Sequence, residues 1–471
     1  MRQADGAGPA HAEALAEDVI IWASLNGLLV GAGDELRPRA AIHAPLSVLP
    51  VPFPRASFEK AKAAMRIFNK LIDRVSRDGA YLEATLQAAS EFDDFTARLL
   101  QIYNATDDWR QQRLSEQLVL AINRSDYMLD EPSSTLMQVE LNTIASSFGC
   151  LSTQVCKLHR YIVERAGQPE LVLSNLPEND VTSHLADAIG TAVAEFGDPG
   201  AAVLFIVQPN ERNSYDQQWL QYAMWERHKV RAVRRTLAQV AQQGSLDVGG
   251  ALSVAGQRIA VCYYRAGYAP TDYPSEQEWS AREMMERSTA AQCPSVPYQL
   301  AGAKKIQQDL AGSDTVERFV DSAEEAALIR ACFAGLWSLD NPDNPETQDV
   351  LQQADMQPDD YVLKPQREGG GNNLYGDQLQ QRLRDPKGLA AYILMQRIRP
   401  PINRSMLLRD GNILEVDTLS ELGIYGTFVG RGDTVILNAE AGHLIRTKAA
   451  TSDEGGVAAG FAVLDSPYLS D

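Results

Sequence analysis

Apolar residues recur at three- and four-residue steps between Ser57 and Gly79. Phe58, Ala61, Met65, Phe68, Leu71, Ile72 and Val75 form one stripe. The spacing predicts an amphipathic helix, which Gly79 can end. A second helical run covers Leu82 to Tyr103, and both read as packing elements. Further on the period changes. The continuous apolar run Ala202 to Val207 reads as a buried strand, and Arg258 to Arg265 as another. The segment between them contains a helical stretch, Gln217 to Arg227, which suggests a β-α-β-like unit. Met137 to Asn142 alternates like a half-buried strand. The last third is strand-rich: Tyr361 to Lys364, Tyr392 to Ile398, and Ser405 to Arg409 turning through Asp410-Gly411 into Ile413 to Val416.

Turn residues punctuate this pattern. The first ~10 residues read as a loose end. Gly197-Asp198-Pro199-Gly200 and Ala301-Gly302 mark boundaries. They divide the chain into 1–198, 199–302 and 303–471. No repeat or low-complexity linker separates these parts, so close apposition is expected.

Composition narrows the classes. The chain has 471 residues, 45% of them hydrophobic, enough for roughly two or three units. Net charge is −19, from 62 acidic and 43 basic residues. Nucleic acid and anionic membrane surfaces need a basic footprint and are disfavoured. A locally basic pocket for a small anion stays possible. The five cysteines are odd in number and spread out, with no Cys-x-x-Cys. Reduced thiols in a cytosol fit this better than disulfides or zinc. The run Val19-Ile20-Ile21-Trp22 follows Glu13, Glu17 and Asp18. It lacks the basic flank of a secretory signal and the length of a membrane span. A soluble cytoplasmic protein is the reading.

The chemistry centres on Lys364-Pro365-Gln366-Arg367-Glu368-Gly369-Gly370-Gly371-Asn372-Asn373-Leu374-Tyr375-Gly376, directly after the Tyr361 strand. Three glycines let successive backbone N–H groups converge on one anion. Lys364 and Arg367 add positive charge, and Glu368 offers a carboxylate to a hard cation. Three glycines alone also suit a plain turn; the basic pair and the strand favour a loop for a magnesium polyphosphate. Glu140 and Asn142 project from one face of their strand and carry oxygens that magnesium takes. An ordinary polar strand face is the alternative, and Glu368 tilts the reading to metal. There is no Gly-x-x-x-x-Gly-Lys-Ser/Thr and no Gly-x-Ser-x-Gly, and the six histidines lack ligand spacing. Carboxylates, cations and backbone amides are left, which suits phosphoryl transfer. Arg124, the Glu211-Arg212-Asn213 cluster with Gln217, Arg265 with Tyr268, and Arg446 with Lys448 are further candidates. Each arginine could be a plain surface charge, but one directly after a buried strand is well placed for a ligand.

These residues resemble the eukaryotic-type glutathione synthetase family. The resemblance is carried by Glu140-Leu141-Asn142-Thr143-Ile144 with Ser147-Phe148-Gly149, by Glu211-Arg212-Asn213, and by Leu363 to Asn373. Ser420-Glu421-Leu422-Gly423 and Arg446-Thr447-Lys448 add to it. It runs from about Glu13 to Tyr468, with the motifs in the family's order. It implies an α/β ATP-grasp fold with an inserted α/β substrate-binding domain and a lid. It implies ligation of glycine to γ-glutamylcysteine at the expense of ATP, through an acyl phosphate, in a homodimer. Magnesium, as a pair of ions per site, would be held by Glu140, Asn142 and Glu368. ATP would be surrounded by Glu140, Lys304, Lys364, Pro365, Gln366, Arg367, Glu368, Gly369, Gly370, Gly371, Asn372, Asn373 and Tyr375. Met395, Gln396, Arg397, Ile398, Glu421, Lys448 and Glu454 complete that set. The peptide or glycine would face Arg124, Ile144, Ala145, Ser146, Ser147, Glu211, Arg212, Asn213, Gln217, Arg265, Ala266, Gly267, Tyr268, Arg446, Val457 and Ala458. Arg124, Lys364 and Arg446 would be the catalytic cations.

Two positions depart from the family pattern. Ala145 stands where a serine is common, and Ala266 replaces an aspartate, which implies altered affinity rather than lost activity. A sister ligase that uses β-alanine, and a nucleotide-binding homologue without ligase activity, are the competing readings. The small side chains of Val457-Ala458-Ala459 favour glycine, and the intact Glu140, Asn142, Glu368 and Lys364 favour an enzyme.

Overall fold

The computed structural model describes residues 9–33, 40–166, 171–341, 343–367, 371–385, 387–453, 455–457 and 460–471. The apolar stripe of the first predicted helix lies on helix Arg55–Arg77, and all seven of its members are buried. Gly79 does not end that helix. Asp78 closes it and at once caps the next, Gly79–Ser90, by accepting from the Tyr81 N–H at 3.0 Å. A Cβ on Gly79 would stand 2.3 Å from the Tyr103 hydroxyl, so close packing is what requires the glycine. The run from Leu82 to Tyr103 is likewise two helices, Gly79–Ser90 and Asp94–Ala105. Asp93 caps the second at the Thr96 N–H, 2.9 Å away. The capping carboxylate of Asp93 interrupts a pattern that periodicity alone reads as continuous.

Seven strands form the largest sheet, in the order 403–409, 46–47, 462–465, 434–449, 412–431, 118–130 and 135–142. Strand Asn403–Arg409 also pairs with Asn412–Arg431, so five of the strands close on themselves. The predicted turn joins those two. Asp410 and Gly411 both have positive φ, 50° and 77°, between the paired Arg409 and Asn412, the geometry of a tight I′ hairpin. Thr434–Ala449 pairs along its length with the later part of Asn412–Arg431, from Thr418 on, and Leu118–Asp130 lies on the other side of that strand. Helix Arg55–Arg77 packs across this sheet. Its buried Asn69 donates to the Thr427 carbonyl at 3.2 Å and accepts from Asn123 at 3.0 Å.

A second sheet has a parallel centre. Ala202–Ile206 pairs in parallel with Ala232–Arg235 on one side and Gln257–Tyr264 on the other, and Gln257–Tyr264 with Ala291–Cys293. Helix Ser214–His228 links Ala202–Ile206 to Ala232–Arg235. The crossover expected between the two long strands therefore runs to a further strand at the sheet edge. Both long strands are buried on both faces, which is why each reads as an unbroken apolar run. A third, antiparallel sheet joins Leu336–Ser338, Tyr392–Gln396 and Tyr361–Pro365. It has a small core of its own, including Leu339, Val350, Leu363, Leu379 and Leu394.

Phe68 is fully buried and meets Phe333 edge-on at 6.5 Å. Phe68→Ala is expected to cost about 3–5 kcal/mol of stability, read as a lower denaturation midpoint at constant m-value in urea.

Candidate active site

A cleft of about 270 Å³ opens between the large sheet and the small antiparallel one. Strand pairing decides what faces it. Arg124 lies opposite Asn142, and Asp126 opposite Glu140, on adjacent antiparallel strands. Glu421 lies opposite Arg446 one strand further on. The small sheet brings Lys364, Met395 and Gln396 to the other wall.

Asp126 sits at the centre and is fully buried. It accepts from Arg124 Nε at 2.6 Å and Nη2 at 2.8 Å, from Asn142 Nδ2 at 2.9 Å and from Arg446 Nη2 at 2.8 Å. Arg446 also pairs with Glu421. A Cβ on Gly423 would lie 2.7 Å from Asp126 Oδ1 and 2.9 Å from Arg124 Cδ, so only glycine fits beside this pair. Burial opposes the charge on Arg124, but the adjacent Asp126 carboxylate holds its pKa well above the ordinary value. Burial works to raise Glu140, yet Lys304 and Lys364, then Arg446 and Arg124, hold it down at about 2. Lys304 Nζ stands 3.4 Å from Glu140 Oε2. Glu421 moves the other way: burial raises it, and Asp126 and Glu140 add to that against Arg446. Glu140 is thus held ionised within a field of cations, the polarity a polyphosphate and a cation need.

The glycine-rich segment leaves from strand Tyr361–Pro365 and returns beside it. Leu363 exchanges backbone hydrogen bonds with Leu374, at 3.1 and 2.9 Å, which brings the two ends of the loop together. Lys364 Nζ donates to the Val139 carbonyl at 2.9 Å, tying the small sheet to the large one beside Glu140. Gln366 accepts from the Lys305 N–H at 3.1 Å, and Arg367 pairs with Asp93. Arg397 Nη2 meets Asp453 Oδ1 at 2.6 Å and its guanidinium lies over the Tyr375 ring; Lys448 Nζ donates to the Asp453 carbonyl at 2.6 Å. Val362, Met395 and Ile398 supply an apolar patch between the charged groups.

Most of the expected residues converge here. Arg124, Glu140, Asn142, Ile144, Ala145, Ser147, Tyr268, Lys304, Lys364, Arg367, Asn372, Asn373, Tyr375, Met395, Gln396, Arg397, Ile398, Glu421, Arg446, Lys448 and Val457 all line the cleft. Others stand outside its lining. Ser146 and Arg265 lie behind Ser147: Arg265 donates to the Ser146 carbonyl at 3.2 Å and the Ser147 hydroxyl at 2.6 Å. Ala266 and Gly267 follow Arg265 in the buried interior. Glu211 accepts from the Asn213 N–H and from Gln217 Nε2, both at 2.8 Å. Arg212 donates instead to the Gly31 carbonyl at 3.3 Å and is exposed. Pro365 and Gln366 flank the cleft without lining it, and Gly371, with φ 77°, is exposed. Glu368, Gly369, Gly370, Glu454 and Ala458, all expected at the site, lie outside the described residues.

Sequence reading passed over three acids that hold these cations in place: Asp126, Asp93 and Asp453. The alternation that picked out Glu140 and Asn142 could have paired Asp126 with Arg124, two residues apart on one strand face. Asp93 and Asp453 carried no such signal. The loop from Thr143 to Phe148 is also unusual. Ala145 and Phe148 adopt positive φ, 53° and 69°, which is uncommon away from glycine and marks a segment held in place by its surroundings. Asp216 supplies that hold, accepting from the backbone N–H groups of Phe148, Cys150 and Leu151 at 2.9, 2.9 and 3.1 Å.

A cleft between two sheets, walled by lysines and arginines about a few carboxylates, together with this mixed architecture, defines an α/β protein of the ATP-grasp type. A solved glutathione synthetase-like effector from Globodera pallida has the same fold, with a TM-score of 0.78 over 98% of both chains at 22% identity. The family model for the eukaryotic glutathione synthase ATP-binding domain matches residues 9–469, and the chain belongs to that family. It is 46% identical over 470 residues to a chloroplastic glutathione synthetase of Solanum lycopersicum, covering 97% of this chain and 84% of that protein. It is 41% identical over 468 residues to a glutathione synthetase of Homo sapiens, covering 97% and 96%.

Asp126→Asn would set an amide N–H₂ against donors and leave two buried guanidinium groups short of charge. A loss of about 3–5 kcal/mol is expected, measured by equilibrium denaturation. A change within about 0.5 kcal/mol would show that Asp126 does not carry this part of the fold.

Proposed function

We propose that this protein is a glutathione synthetase, joining glycine to γ-L-glutamyl-L-cysteine with ATP and releasing ADP and phosphate. The observation that carries the reading is the convergence of Glu140, Asn142, Lys304, Lys364 and Arg446 on one cleft in a chain of this family. The cysteinyl carboxylate attacks the γ-phosphorus of ATP and ADP leaves. The glycine amine then attacks the acyl carbon, phosphate departs, and the amine proton is lost. Lys304, Lys364 and Lys448 offset the phosphate charge, while the apolar Val362, Met395 and Ile398 suit the face of a base. Arg124 and Arg446 take substrate carboxylates, fixed in direction by Asp126. Arg124 uses three of its N–H groups on Asp126 and the Ser147 carbonyl. Its remaining donors can serve a ligand.

The donor set fits magnesium. Asn142 spends its Nδ2 on Asp126, which leaves its Oδ1 as an acceptor beside ionised Glu140. Among the described residues no group of three His, Cys, Asp or Glu could hold a metal by itself. Glu140, Asn142 and Glu368 would therefore bind it jointly with phosphate oxygens. When bound, the metal supplies charge neutralisation on the transferring phosphoryl group. Among the described residues no helix is long and apolar enough to cross a membrane, and no cysteine is paired. The free, scattered cysteines support a reducing compartment such as the cytosol, and the family resemblance supports a homodimer.

One coupled assay of ADP release, with γ-glutamylcysteine and a panel of amines, tests the reading. Glycine is expected to exceed β-alanine by about 10–100-fold in kcat/KM, the worth of one methylene in a fitted pocket. Val457 is buried there beside Gly455 and Gly456. Equal use of β-alanine would favour the sister ligase, and no ADP release with any amine a nucleotide-binding protein without ligase activity.

Glu140→Gln keeps the shape of the side chain and removes its charge. Turnover is expected to fall by about 10²–10³ at saturating magnesium, with the thermal midpoint little changed. Near-normal turnover would remove Glu140 from the metal set.

A further inference from the structure

Helix Lys304–Ala311 is tied to both of the sheets that wall the cleft. Two of its side chains reach the large sheet. Lys304 Nζ stands 3.4 Å from Glu140 Oε2, and Gln307 Nε2 donates to Gln138 Oε1 at 3.1 Å. Gln138 in turn donates from Nε2 to the Ser125 hydroxyl of the adjoining strand at 2.7 Å. Lys305 reaches the small sheet instead. Its Nζ donates to Ser338 Oγ at 2.7 Å and pairs with Asp340 Oδ2 at 2.5 Å, at the end of the edge strand Leu336–Ser338. Its backbone N–H donates to Gln366, one residue past the strand Tyr361–Pro365 that carries Lys364.

Lys305 lines no part of the cleft, so its charge does not serve a ligand there. Its side chain is 3% exposed, against 32% for Asp340. Burial lowers its pKa, and Asp340 works against this. Withdrawing an ammonium from water is costly, and a buried ion pair commonly adds little stability over apolar packing of the same volume. What the ammonium adds here is direction, because its N–H groups must meet two fixed acceptors. That direction matters for the cleft. The two lysines that hold Glu140 ionised stand on different parts of the fold, Lys304 on the helix and Lys364 on the small sheet. Their separation depends on how that sheet is docked on the helix, and Lys305 supplies a charged contact between the two.

We propose that Lys305 is a positioning residue for the nucleotide: through Ser338 and Asp340 it holds the small sheet on helix Lys304–Ala311, so that Lys304 and Lys364 meet one phosphate chain together. This rests on the ligase reading above. The effect falls on the nucleotide and not on the peptide, because Arg124 and Arg446 are fixed by Asp126 within the large sheet.

The test measures binding of a non-hydrolysable ATP analogue with magnesium, by calorimetry, beside the ADP-release assay. It compares the wild type with Lys305→Met, Asp340→Asn and the double variant. Lys305→Met nearly keeps the length and removes the charge. The Kd of the analogue and KM for ATP are expected to rise together by about 10–100-fold, the loss that follows when the partner orienting a ligating group is removed. KM for γ-glutamylcysteine should stay within about twofold. The thermal midpoint should change little, since the Asp340 left behind reaches water. Asp340→Asn should raise both nucleotide constants by less, because Ser338 still accepts from Lys305. It carries the comparison if the methionine variant does not fold. The double variant should be no worse than Lys305→Met alone, as one shared contact requires. If the variants bind the analogue as the wild type does, or if KM for ATP and for γ-glutamylcysteine rise equally, Lys305 is structural and the assignment is overturned. A wild type that binds the analogue yet releases no ADP with γ-glutamylcysteine and glycine overturns the ligase reading, and the Kd of the analogue still decides the role of Lys305.

Discussion

Asp126 is a full charge with no access to water, and the site is arranged around it. Such a charge is tolerated only when every lone pair it needs is satisfied. Arg124, Arg446 and Asn142 do this from three different strands. In satisfying Asp126, each is turned to a fixed direction. The carboxylate is therefore a template: it sets the two arginines and frees the Asn142 oxygen for other use. Glycine at 423 is part of the same constraint, because any side chain there would displace the pair.

Cations on the opposite wall extend the arrangement across the cleft. Lys364 belongs to the small sheet, yet it bonds the Val139 carbonyl next to Glu140 on the large sheet. Lys304 approaches the same carboxylate from the start of a helix. Glu140 is held ionised by these neighbours although burial works against it. A phosphate and a cation arriving together would replace lysine–carboxylate contacts by new ones of the same sign, so the site is pre-arranged for the charge it receives.

The second sheet contributes differently. Its two central strands, Ala202–Ile206 and Gln257–Tyr264, are buried on both faces, so polar groups cluster at the strand ends, where Arg234, Arg265 and the Glu211 loop meet. Ligands bind at such ends because there the chain can present polar groups without breaking the core.

Much of this was legible along the chain. The Arg55–Arg77 stripe, the two buried strands, the Asp410-Gly411 turn and the Glu140/Asn142 alternation each depend on neighbours within a few residues, and such patterns are set by local geometry. The length and order of the motifs also determined the family. What the sequence could not state is which distant residues share a charge. Asp126 meets Arg446 across 320 positions, and Arg367 meets Asp93 across 274. Asp93 carries no signal along the chain, yet it breaks one apparent helix into two and anchors a site cation. Periodicity records which face of an element is apolar. The pairing of buried charges is decided only when sheets bring their ends together, because the energy of a buried charge depends on all its neighbours in space and not on those beside it in the chain.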